Sequence, residues 1–128
     1  GLLTLNSLVA ANSLLVPIQC EYYALEGLSQ LMKTIDLVRS YLNSALELEG
    51  LLLTMFDSRT RLSKEVADEV RSRFGSKVYQ TAIPRNVKIS EAPSFGMPAI
   101  YYDPTSIGAV AYTSLAEEVI RKWEKQGR

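Results

Sequence analysis

Apolar positions along this chain either recur at helical spacing or gather into short continuous runs. Leu25, Leu28, Leu31 or Met32, Ile35, Val38 and Leu42 follow the first pattern. Residues 24–42 are therefore predicted to form an amphipathic helix, with Glu26, Gln30, Lys33 and Arg39 turned away from the apolar stripe. Leu62, Val66, Val70 and Phe74 mark another helix, and Gly75 stands where helices commonly stop. Leu115, Val119 and Trp123, with Ile120 beside them, mark a last helix over roughly 107–126. "LLVPI" (Leu14–Ile18) and "LEGLLLTMF" (Leu48–Phe56) are apolar runs that read as buried strands, the first covered on both faces. "VYQTAI" (Val78–Ile83) alternates towards a third strand, and residues 3–11 read as a short helix.

Helices and strands thus alternate along the chain. That order implies an α/β fold, a parallel sheet with right-handed crossovers and helices on both faces, in a single domain over residues 1–128. In such sheets ligands bind beyond the carboxyl ends of the strands. Those ends are "QCEYY", "TMFDSRT" and "PRNVKISEAP", three polar loops that fall on one rim. The last of them lies within "AIPRNVKISEAPSFGMPAIYYDP" (Ala82–Pro104), a stretch without periodicity that is interrupted by Pro84, Pro93 and Pro98. Non-repetitive segments of this length in compact domains are usually functional or disordered.

Composition narrows the chemistry. The 128 residues are 47% hydrophobic, enough for a core, and the net charge is zero. Charge is nevertheless uneven: residues 1–56 hold two basic and five acidic residues, 57–98 hold eight and five, and 99–128 hold four of each. The middle third is a candidate basic face, with a solvated mixed-charge surface as the alternative. Histidine is absent, which removes Ser-His-Asp and Cys-His catalysis and histidine metal sites. The lone Cys20 reads as a small buried hydrophobe and fits a reducing, cytoplasmic setting. No apolar run reaches the ~18–20 residues of a membrane span. The apolar opening, "GLLTLNSLVAANSLLVPI", is broken by Asn6, Asn12 and Pro17 and is not read as a signal peptide. None of the seven glycines has the spacing of a phosphate-binding loop. The chain begins on Gly1 inside a helical pattern, as expected of a piece of something longer.

"TMFDSRTRLSKE" places Arg59, Arg61 and Lys64 at a strand-to-helix turn. Helix N-termini favour anions, so this turn is a candidate phosphate site; the alternative is a solvated turn in which Asp57 neutralises Arg59. In "IPRNV", rigid Pro84 beside the amide of Asn86 would suit a flat heterocycle such as adenine, or it is an ordinary strand-ending turn. Tyr22 and Tyr23 form a contact surface or pack under the loop. Tyr101 and Tyr102 read as the end of a short strand.

"PIQCEYYALEGLSQL" (Pro17–Leu31), "EGLLLTMFDSRT" (Glu49–Thr60) and "IPRNVKISEAPSFGMPAIYYDPTSIGA" (Ile83–Ala109) closely resemble the ParA/Soj family, deviant-Walker ATPases of bacterial chromosome and plasmid partitioning. The resemblance runs over essentially the whole chain in unbroken order. It implies a portion of a P-loop NTPase-type sheet, corresponding to the C-terminal half of a ParA-like ATPase domain. The family's phosphate loop and Walker B strand precede the matched region, so the chain alone is expected to be inactive, with catalytic and Mg-binding residues outside it. Carried over residue by residue, the resemblance puts Thr54 and Met55 on one side of the adenine and Pro84, Arg85 and Asn86 on the other. Gln19, Glu21, Tyr22 and Tyr23 would lie at the face where two ATP-bound subunits meet. Arg59 and Lys88 would contact non-specific DNA through phosphates. The implied cofactors are ATP and Mg, and the implied partners are a ParB-like protein, DNA and a second copy, on the nucleoid in the cytoplasm.

Two stretches depart from the family. "DPTSIG" stands where relatives often have "DPRSRG", and "SFGMP" where they have "SHGKP", so Thr105, Ile107, Phe95 and Met97 reduce the basic contribution there. Two other readings remain: a non-catalytic piece that only oligomerises or binds weakly, and a membrane-associated ATPase like MinD. The second would need a net basic helix at the end, whereas Glu117, Glu118 and Glu124 offset Arg121, Lys122 and Lys125. The last helix is therefore expected to pack against the body of the protein, and no membrane partner is expected.

Overall fold

The computed structural model describes residues 7–85, residue 9 apart, and residues 105–127. The elements in order are β1 (Ser13–Gln19), α1 (Ala24–Tyr41), β2 (Glu47–Thr54), α2 (Arg61–Phe74), a 3-10 turn (Gly75–Lys77) and α3 (Ile107–Lys125). Ser7, Leu8 and Ala10 are helical ahead of β1. Expectations for Tyr101 and Tyr102 lie outside the described residues.

Local chemistry sets several of the helix ends. Thr60 caps α2, its Oγ1 accepting the Ser63 N–H at 3.2 Å. Gly75 closes that helix at φ 54°, a left-handed conformation that costs glycine least. Ser106 caps α3, its Oγ accepting the Ala109 N–H at 3.1 Å. α1 has no side-chain cap at Tyr23 and is held by its buried face, Leu28, Ile35 and Val38.

β1 and β2 pair in parallel from Ser13 opposite Glu47 to Gln19 opposite Thr54, with one register shift between Leu14 and Leu15. The connection is the α1 crossover that a parallel pair requires. Successive residues of β2 point to opposite faces of the sheet. Leu51 and Leu53 join Ile18, Leu28, Val66 and Val70 in the largest core, between the sheet and helices α1 and α2. Leu52 points the other way and packs with Tyr79 and Ile83 against Ala111, Leu115 and Val119 of α3. A smaller core joins Leu8 to Ile35, Val38 and Leu46. The chain is therefore α/β, with parallel strands and helices on both sides of β2.

The structure corrects two expectations from the apolar pattern. β1 is buried on one face only: Ile18 and Cys20 are buried, whereas Leu15, Pro17 and Gln19 are exposed. Among the described residues, α3 covers β2 and the segment beyond it, not β1. The Cys20 N–H donates to Thr54 O, so alternate residues of β1 aim their peptide groups at β2 and Pro17 aims away from it. Proline, which has no N–H to give, sits well on an edge that no strand pairs with among the described residues.

The second correction concerns Val78–Ile83. This segment runs beside β2 but joins it only through isolated bridges, Leu51 with Val78 and Phe56 with Pro84. The Tyr79 N–H reaches Leu51 O at 3.0 Å and the Ile83 N–H reaches Leu53 O at 2.8 Å. Four residues of this segment thus oppose two of β2. The N–H groups of Gln80 and Thr81, which a regular ladder would have used differently, go instead to the carboxylate of Glu118 on α3, at 2.8 and 2.9 Å. Helix α2 departs in a smaller way: Leu62 is 41% exposed, and the buried stripe begins at Ser63.

Candidate functional site

The carboxyl ends of β1, β2 and the third segment meet on one rim. The Cys20 N–H donates to Thr54 O at 3.0 Å, which sets the Gln19–Tyr23 turn beside the end of β2. The chain then leaves β2 through Met55 at φ 52°, the one described non-glycine residue with positive φ. Beyond it, the Phe56 N–H donates to Ile83 O and Phe56 O accepts the Arg85 N–H, both at 3.0 Å. Along this stretch the acceptors on the β2 side advance from Leu53 to Phe56 while the donors advance from Ile83 to Arg85. One extra residue therefore sits on the β2 side, and the left-handed Met55 absorbs it. Bulges of this kind re-aim side chains and are common beside active sites.

Thr54, Met55, Pro84 and Arg85 are in this way brought to one place. Thr54 and Pro84 are half-buried, and Met55 and Arg85 are exposed. Asn86 and Lys88 lie outside the described residues. If the positive φ at Met55 is held by its neighbours, Met55→Gly is expected to be near neutral and Met55→Val to lose about 1–3 kcal/mol, because a β-branched side chain fits the left-handed region poorly. Urea unfolding of both variants is the measurement; equal stability would show that the turn relaxes instead.

The turn after Met55 is built on Asp57. Its N–H donates to Ser63 Oγ at 3.1 Å, and its carbonyl accepts the Thr60 N–H at 3.0 Å and the Thr60 hydroxyl at 3.1 Å. Arg59 grips the carboxylate of Asp57 with Nε on Oδ1 and Nη2 on Oδ2, both at 3.0 Å. The Arg59 side-chain and backbone bonds, with the charge of Arg85 adding to them, hold the Asp57 carboxyl down at about 2. The pair foreseen for the solvated-turn alternative is therefore formed. It leaves Arg59 85% exposed, with Arg61 and Lys64 exposed on the following helix. The first turn of α2 holds no acidic residue. A cationic surface at a helix N-terminus suits phosphate oxygens.

On the β1 side of the rim, Tyr22 and Tyr23 are 77% and 69% exposed, and their rings meet edge to face with centroids 5.0 Å apart. They do not pack beneath another segment among the described residues. Gln19 and Glu21 are exposed beside them and line, with Pro17, Tyr23 and Gly27, a shallow groove along the open flank of β1. Cys20 is buried as expected; burial pushes its thiol up, and the charge of Arg71 pulls the other way. Among the described residues no three carboxylate or thiol side chains gather as a metal site would require.

The pattern reading missed Arg71 and Glu118. In the sequence Glu118 counts only as one of the acids that offset the basic residues of the last helix, yet it is 7% exposed and takes two backbone N–H groups. Burial pushes its carboxyl up, but those N–H groups, with Lys122 nearby, outweigh burial and hold it below the usual range. The available signal was its place three residues after Leu115 and next to Val119, on the apolar stripe. Of the stripe expected for α3, Leu115 and Val119 pack against the body of the protein, whereas Ile120 and Trp123 are exposed, Trp123 reaching back through Nε1, which donates to Glu49 Oε1 at 2.7 Å. Among the described residues no helix is long and apolar enough to cross a membrane.

Comparison with known proteins adds relatives to this geometry. A family model described as an AAA domain matches residues 1–48. The chain is 59% identical over 119 residues to the sporulation initiation inhibitor protein Soj of Bacillus subtilis, covering 93% of this chain and 47% of that protein. It is 56% identical over 122 residues to the chromosome partitioning protein ParA of Myxococcus xanthus, covering 95% and 43%. Among solved structures, a cobyrinic acid a,c-diamide synthase from Mycobacterium smegmatis with bound ADP and magnesium superposes at TM-score 0.74 with 38% identity, over 100% of this chain and 45% of that one. The cell division ATPase MinD of Pyrococcus furiosus superposes at TM-score 0.60 with 26% identity, over 88% and 44%. The chain spans about half the length of the curated relatives it matches.

Proposed function

The chain belongs to the ParA/Soj family of partitioning ATPases, and from that premise we propose that its rim is the base-side half of an ATP site in a DNA-partitioning protein. The observation that carries the reading is the junction of Thr54–Met55 with Pro84–Arg85 through the Phe56–Pro84 bridge. Two strand ends held side by side, with a rigid proline and a shaped bulge, make a preformed wall for a flat base. The residues present fit that end of a nucleotide. They offer no glycine loop for phosphate and no cluster of acids for magnesium among those described. Bound ATP and Mg would bring phosphoryl chemistry; this chain's part is to orient the base and present the flanking surfaces.

Those surfaces have distinct tasks in the proposed whole. Gln19, Glu21, Tyr22 and Tyr23 form the face on which a second ATP-bound copy closes. The exposed tyrosines support that reading, since rigid aromatic side chains dominate protein contacts. Arg59, with Arg61 and Lys64, contacts DNA phosphates without reading bases. Pairing two copies doubles that basic surface, so ATP-dependent dimerisation raises DNA affinity by avidity. A ParB-like partner would stimulate hydrolysis and release.

Arg59→Glu in the full-length protein tests the DNA surface. The substitution places a second carboxylate beside Asp57 and removes the exposed guanidinium. Non-specific DNA affinity is expected to fall, with the slope of log K against log salt reduced by about one. ATP binding should be retained. An unchanged DNA affinity at moderate salt would remove Arg59 from the DNA surface.

A further inference from the structure

We propose that Arg71 and Glu118 act together as a positioning clamp that sets the rim turn at Pro84–Arg85 from outside the site. Two helices grip the same irregular segment through opposite charges. From α2, Arg71 donates Nη1 to Tyr79 O at 3.1 Å and Nη2 to Gln80 O at 3.3 Å. From α3, Glu118 accepts the Gln80 N–H on Oε2 at 2.8 Å and the Thr81 N–H on Oε1 at 2.9 Å. The carbonyls on one side and the N–H groups on the other are thus held by one cation and one anion. Each bond has an ionised partner, which makes it stronger than a neutral peptide bond pair.

The gripped peptide groups belong to Tyr79, Gln80 and Thr81, within the span from Tyr79 to Ile83 in which the segment has two residues more than β2. Without the clamp, a parallel ladder would carry the Thr81 N–H on to Leu53 O, the acceptor that Ile83 now uses. Every residue after it would then shift by two positions along β2. The clamp therefore selects which residue arrives at Phe56 and which side chains stand at the rim. Lys122 braces the same unit, its Nζ donating to Ser76 O at 3.2 Å and lying 4.4 Å from the centre of the Tyr79 ring. Neither Arg71 nor Glu118 is among the rim residues, so the backbone carries their effect to the turn at Pro84–Arg85. Arg71 also ties the rim to α2, the helix that begins at the basic turn after Arg59.

The role at the base rests on the reading of the rim as the adenine side of the site. Glu118→Gln in the full-length protein tests both parts. Gln keeps the size of the side chain but presents an NH₂ group to one of the two peptide N–H groups, leaving a buried donor unmatched. Amide hydrogen exchange at Gln80 and Thr81 is expected to accelerate ~10-fold or more. The Arg85 amide, bonded to Phe56 O, should accelerate with them. Preference for ATP over GTP should fall several-fold with GTP affinity unchanged, because the phosphate end is common to both. Leu115→Ala loosens the same helix without touching the carboxylate and should lower the melting temperature while leaving the preference intact. Faster exchange at Gln80 and Thr81 with Arg85 exchange and base preference unmoved would overturn the clamp. If wild type binds ATP and GTP alike while Arg85 exchange still follows Glu118, the base-side reading fails and the clamp stands.

Discussion

Gly50→Ala is expected to destabilise the protein by about 1–3 kcal/mol, the range for forcing extra volume into a packed interior. A Cβ at position 50 would stand 2.5 Å from Cε2 of Tyr79, 2.7 Å from Cζ and 2.9 Å from the hydroxyl oxygen. The ring cannot swing aside cheaply. Tyr79 is 1% exposed, wedged between Leu52 of β2 and Ala111, Leu115 and Val119 of α3, with Lys122 over its face. The added methyl must move either β2 or α3. Urea unfolding measures the loss, and Tyr79→Leu in the Gly50→Ala background should return part of it. The coupling between the two sites then exceeds the ~0.5 kcal/mol typical of independent positions. Additive losses would mean that the ring and the strand do not compete for this space.

Leu51→Ala is expected to cost about 2–5 kcal/mol, the range for removing most of a buried leucine and leaving a cavity. Leu51 is fully buried, pairs with Val16 on one side and bridges Val78 on the other. Its side chain joins the core beneath α1 and α2, so both helices lose contacts at once. Domains of this size are stable by only about 5–15 kcal/mol, and the variant would spend a measurable fraction of its time unfolded. Leu37→Ala is the matched comparison. That leucine is 61% exposed on α1, and its loss should stay within about 0.5 kcal/mol. Similar losses at the two positions would mean that β2 is not the central strand of this unit.

Much of this fold was legible in advance because the signals are local. The stripe from Leu25 to Val38 identified α1, and Gly75 marked the end of α2 within one residue. The apolar runs located β1 and β2 because a strand beside a crossover helix has little polar surface to spare. The alternating order identified the rim, and three motifs in unbroken order pointed to the family. The basic turn and the Asp57–Arg59 pair could be read together because their partners lie two residues apart.

What the pattern misjudged depended on residues far along the chain. "LLVPI" cannot reveal that its second face is open, because exposure depends on where α3 lies. "VYQTAI" alternates like a strand, but its N–H groups are captured by a carboxylate 37 and 38 residues later. Met55 carries no local mark of positive φ, since methionine does not favour that region; the hydrogen bonds of Phe56 to Ile83 and Arg85 impose it. Glycine at position 50 looked incidental until Tyr79 was placed against it.

The sequence by itself therefore determined β1, β2 and the three helices, their order, the parallel α/β class and the composition of the rim. Periodicity, capping residues and apolar runs act within a few residues, so their energies are written in consecutive positions. The tertiary structure alone decided the register of the third segment, the turn at Met55, the space at Gly50 and the burial of Glu118. Each of these is a competition for one backbone group or one volume between residues distant in the chain, and only packing brings the competitors together.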